Sequence, residues 1–109
     1  MAEVLKVLGQ ASPAATTEAD LYTVPGATAA VASTLVICNR NASNVTFRVS
    51  VSVGGGATAN ADYIYYDTRL LKNDSTFATI GITLGAADKV RVYSDTANVS
   101  FSLYGTEVS

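Results

Sequence analysis

Residues 45–53 read Val45-Thr46-Phe47-Arg48-Val49-Ser50-Val51-Ser52-Val53, and the period is two throughout. Val45, Phe47, Val49, Val51 and Val53 fall on one side of an extended chain, and Thr46, Arg48, Ser50 and Ser52 on the other. A strand with one buried and one wetted face has this pattern, and a helix does not. Gly54-Gly55-Gly56 closes the run, because glycine turns the chain at the least steric cost. This triplet lacks the Lys and Ser/Thr of a phosphate loop and precedes no helix. It reads as a flexible loop.

The alternation continues on both sides. Downstream, Ala78, Ile80, Ile82 and Leu84 share a face, as do Val90 with Val92, and Val99 with Phe101 and Leu103. Polar Asp95–Asn98 reads as a hairpin connection that pairs the last two strands. Upstream, residues 20–25 form a short strand closed by Pro25-Gly26. Leu35–Cys38 is apolar on both faces, as in a strand at the middle of a sheet. Residues 3–9 add an N-terminal strand. The only helix candidate is Ser12–Ala19, where Pro13 and paired threonines favour a loop. About eight strands with turn signals every ~8–12 residues predict a single antiparallel β-sandwich over residues 1–109. Periodicity leaves an immunoglobulin-like order and a jelly roll open.

Composition narrows the function. The chain has 109 residues, with 15% charged residues and a net charge of -2. Its cations are scattered singly, so no basic stripe exists for nucleic acid. The charged fraction falls below the ~25% of ordinary domains, which suits a component of an assembly. Glu3 and Lys6 interrupt the N-terminal apolar stretch, which lacks the uninterrupted apolar core of a signal peptide. No run approaches the ~18 apolar residues of a membrane span. The expectation is a protein made in a cytoplasm, with no membrane partner.

The sequence has no histidine and a single cysteine, so neither a Cys/His zinc site nor a Cys–His nucleophile can be built. Cys38 reads as a small buried hydrophobe. The acids fall in turns and at strand ends, with no calcium-loop spacing. No catalytic, cofactor or metal residue is expected. The four Asn-x-Ser/Thr triplets, at Asn41, Asn44, Asn73 and Asn98, read as turn chemistry.

The remaining candidate is Asp62-Tyr63-Ile64-Tyr65-Tyr66-Asp67, which holds three of the six tyrosines. As a regular strand it places Tyr63, Tyr65, Asp67 and Arg69 on the outer face and Ile64, Tyr66, Thr68 and Leu70 toward the core. The outer set is the candidate partner interface, since tyrosine and arginine are enriched at interface centres. Cross-strand surface packing is the plainer alternative.

Several stretches together resemble small virion structural proteins of tailed bacteriophages, including phages of cyanobacteria. They are KVLGQ (6–10), DLYTVPGATAAVASTLVICNR (20–40), TIGITLGAADKVRVYS (79–94) and SFSLYGTEV (100–108). These are strand and turn patterns, and their order carries the likeness. The resemblance implies a non-enzymatic part of a virion, with the major capsid protein or other virion proteins as partners. It favours a capsid decoration (cement) protein, and the analogy adds a homo-oligomer such as a trimer. The alternative is a tail or fibre module that touches tail proteins or host glycans, with Tyr63, Tyr65, Tyr93 and Tyr104 as an aromatic shelf.

Overall fold

The computed structural model describes residues 2–109. Eight strands follow in order: β1 (Glu3–Ala11), β2 (Ala19–Thr23), β3 (Ala29–Asn39), β4 (Val45–Ser52), β5 (Tyr63–Leu70), β6 (Ser75–Leu84), β7 (Lys89–Ser94) and β8 (Val99–Val108). They form two four-stranded sheets, β1-β8-β3-β6 and β2-β7-β4-β5, and every paired neighbour is antiparallel. Residues 12–18 form a loop. No helix among the described residues is long and apolar enough to cross a membrane.

The order settles the choice that periodicity left open. β1 pairs with β8, β2 with β7, β3 with β6 and β4 with β5. This nesting is one long hairpin rolled on itself, which is the eight-stranded jelly roll. The expected β7–β8 hairpin is therefore corrected, since β7 and β8 lie in different sheets. Asp95–Asn98 crosses the sandwich instead. Its two ends are tied to separate sheets, with Asp95 N donating to Thr46 O and Asn98 O accepting from Arg40 N. A short polar connection has the same composition in either role.

Inward residues from both sheets meet in one core. Phe47 of β4 lies edge-on to Phe101 of β8, with centroids 6.2 Å apart, and Leu35, Ile37, Val49, Val92 and Leu103 pack around them. Val53 departs from the expected face: it leaves the strand for a 3₁₀ turn and is exposed, while Ser50 and Ser52 are buried. Cys38 is half-buried on an outer face rather than in the core. β3 is central in its sheet as expected, but only one of its faces is fully buried.

The asparagines do turn work. Buried Asn39 donates through Nδ2 to the carbonyls of Ser43 and Leu71, each at 3.0 Å, and its Oδ1 accepts from Asn41 N. Asn44 Oδ1 accepts from Lys72 N, and Asn73 holds a positive φ of 53°. At the opposite end, Tyr22 Oη donates to Glu107 Oε2 at 2.6 Å, and Lys6 pairs with the same carboxylate. The Tyr22 bond holds Glu107 below the usual carboxylate range.

Candidate functional site

The site is built by an irregularity in β5. Phe47 faces Thr68 and Val49 faces Tyr65, so β5 takes three steps where β4 takes two. The extra residue is accommodated at Tyr66-Asp67, where Asp67 adopts φ 48°. Aspartate tolerates this left-handed region better than most residues. A bulge places two residues of one strand opposite one of its partner and re-aims side chains. Here Tyr66 and Asp67 both stand opposite Arg48, on the outer face.

This bulge corrects the predicted faces. Thr68, Arg69 and Leu70 lie as expected, with Leu70 buried and Arg69 exposed. Beyond the bulge the alternation reverses. Tyr65, expected outside, packs against the core with its ring 5.4 Å from Phe47. Tyr66, expected inside, is 57% exposed. A second register shift between Tyr65 and Tyr63 returns Tyr63 to the outer side. Tyr104 faces outward from the other sheet. The four-tyrosine shelf therefore does not assemble.

Arg48 organises what does assemble. Its Nε donates to Asp67 Oδ1 at 2.6 Å and its Nη2 to Oδ2 at 3.3 Å. Its Cζ lies 4.3 Å from the Tyr66 ring centroid and 4.5 Å from that of Tyr93. The guanidinium is thus clamped between two rings, each attracting it through its negative face. Tyr63 meets Tyr66 edge-on at 4.8 Å. The Arg48 hydrogen bonds hold Asp67 well below the ordinary carboxylate range.

Beside this cluster lies a network around Arg91. It bonds Asp20 Oδ1, Thr58 Oγ1 and the carbonyls of Gly55 and Gly56 at 2.6–3.0 Å. The glycine loop expected to be flexible is pinned across the sheet by these bonds. Lys89 and Arg91 together lower the Asp20 carboxyl. Open hollows flank Tyr63. One of about 340 Å³ is lined by Thr16, Glu18, Arg48, Thr58, Tyr63 and Tyr93. The other, about 260 Å³, is lined by Asn60, Tyr63 and Tyr66.

Of the predicted residues, Tyr63 and Asp67 join this cluster, Arg69 sits on the same face without an ion pair among the described residues, and Tyr65 lies beneath it. Arg48 and Tyr66 were not anticipated here, and Tyr93 was expected only as part of the alternative aromatic shelf. The one signal for them is the Tyr65-Tyr66 doublet, which breaks strict alternation. Among the described residues, no group of three or more His, Cys, Asp or Glu side chains could hold a metal ion. The arrangement offers stacking, hydrogen bonds and paired charge, and its cations and carboxylates are already engaged with one another.

No family profile matches this sequence, and no curated protein sequence matches it either. Solved structures do. A structure of infectious bursal disease virus, Gx strain, superposes with a TM-score of 0.59 over 97% of this chain, at 10% identity. A crystal structure of the T13 particle of the same virus gives 0.58 over 97%, also at 10% identity. The chain covers 32% and 29% of those two chains. At this identity the likeness is one of fold, and it agrees with the jelly-roll order. That fold serves capsids, lectins and cupins alike.

Proposed function

We propose that the chain is a non-enzymatic structural protein of a virus particle. The phage-like stretches extend the proposal to a decoration protein that binds the major capsid protein lattice of a tailed bacteriophage. It would be synthesised in the host cytoplasm and would reside in the virion. The observation that carries the reading is the Tyr63–Tyr66–Arg48–Tyr93 surface. Tyrosine and arginine are the side chains that dominate interface centres. Here they are locked by stacking and by a two-point bond to Asp67, so little rotamer freedom is left to lose on binding. Many copies of a modest contact give strong attachment through effective concentration.

The second reading, a tail or fibre module that touches host glycans, is favoured by the paired hollows beside Tyr63. Shallow sites that combine an aromatic wall with polar groups suit sugars. Quantifying the chain in purified particles separates the two. A copy number comparable with the capsid protein supports decoration, and a few copies per particle support the tail. Particles that lack the chain overturn both.

A further inference from the structure

The outer face of the β1-β8-β3-β6 sheet carries no acidic or basic residue between its two ends. Its rows follow from the register. Leu5, Thr106, Val31 and Thr83 form one row. Val7, Tyr104, Thr34 and Thr79 form the next, and Gln10, Ser102, Val36 and Phe77 the third. Five large hydrophobic residues stand exposed on it: Leu5 at 84%, Phe77 at 72%, and Val7, Val31 and Tyr104 at 37–47%. They are spread over all four strands. A solvated sheet face carries polar residues at its outside positions, whereas Leu5, Val31, Val7, Tyr104, Val36 and Phe77 take half of the positions in these three rows.

Charge appears only at the margins. Glu3 stands at one end, in register with Val108. Arg40 stands at the other, where it extends the β3–β8 pairing and bonds Ser100 Oγ and Ser12 Oγ. Neither forms an ion pair among the described residues.

We infer that this face is covered by the same face of a second copy, with the strands of the two copies running in reversed directions. Two twofold arrangements stack a sheet on itself. An axis along the strands gathers both Glu3 residues at one end of the interface and both Arg40 residues at the other, like charge with like. An axis across the strands sets Glu3 of each copy against Arg40 of the other, twice, and charge complementarity selects it. The interface is isologous and closes at two copies. Strands about 4.8 Å apart and some ten residues long, rising about 3.3 Å each, give about 600 Å² per partner. The total of about 1,200 Å² reaches the lower range of specific interfaces. Sheets packed this way lie within about 30° of alignment, as inside a sandwich.

The test is sedimentation equilibrium on the purified chain. The expected result is a dimer at micromolar concentration. Phe77→Lys and Leu5→Lys, both on exposed positions, should raise the dimer dissociation constant by about 30-fold or more, with the far-ultraviolet circular dichroism spectrum unchanged. Glu3→Arg and Arg40→Glu should each weaken the dimer, and the double swap should restore it. A monomer, a trimer, or a dimer indifferent to Phe77→Lys overturns the inference. A double swap weaker than either single change overturns the reversed orientation. A monomer would leave the virion reading untouched, since that reading rests on the opposite face.

Discussion

The sandwich measures 45 × 26 × 19 Å, and its two broad outer faces differ in kind. The β2-β7-β4-β5 face carries Arg48, Arg69, Lys89, Arg91, Asp20 and Asp67, with most of these charges paired or stacked. The β1-β8-β3-β6 face carries no charge between Glu3 and Arg40 and leaves Phe77 and Leu5 in the open. Both grow from strands with the same alternation, so the difference lies wholly in which residues occupy the outward positions. One face has most of its charged groups engaged within the chain and presents a patterned surface. The other has apolar area that only another molecule can cover.

Variants break this comparison in order of effect. Phe47→Ala empties the contact that joins the two sheets, so it should cost about 3–5 kcal/mol by urea unfolding and loosen both faces together. Tyr65→Ala should cost about 2–3 kcal/mol, because the ring packs on Phe47. Tyr66→Ala should cost less than about 1 kcal/mol, as for an exposed residue. The reverse order would place the bulge wrongly. Arg48→Lys keeps the charge but loses the fork and the planar stacking. It should change the near-ultraviolet tyrosine signal and weaken particle attachment, with a smaller stability loss than Tyr65→Ala.

Acid should discriminate between the faces most gently. Asp20, Asp67 and Glu107 all titrate below their ordinary values. Their contribution to stability is complete above the unfolded value of about 4 and is lost as pH falls through the folded values. There is no histidine to titrate near neutrality. Unfolding free energy should therefore be flat from about pH 5 to 8 and decline below about 4. Because all three groups are partly solvated, the decline should be shallow. Two of the three lie on the charged face, so tyrosine signals from Tyr66 and Tyr93 should respond before that of Tyr104.

Much of the fold was legible because burial imposes a period of two, which β7 and the first half of β8 follow without a break. Val99, Phe101 and Leu103 inside, with Ser100, Ser102 and Tyr104 outside, needed nothing further. Pairing was not legible, since a four-residue polar link serves a hairpin and a sheet-to-sheet crossing equally well. The site was half legible. Tyr63, Asp67 and Arg69 lie where alternation places them, while Tyr65 and Tyr66 exchange faces through one extra residue that periodicity cannot count. Arg48 and Tyr93 come beside Tyr66 only through the β4–β5 and β4–β7 registers.

The central claim is that the two faces meet different partners, and residue-level oxidative footprinting of the free chain and of intact particles tests it most directly. The account predicts that Phe77 and Tyr104 are protected in both states, while Tyr66 and Tyr93 are labelled in the free chain and protected in the particle. Labelling of Tyr66 and Tyr93 that persists in the particle, or Phe77 and Tyr104 reacting freely in solution at dimer-forming concentration, would contradict it.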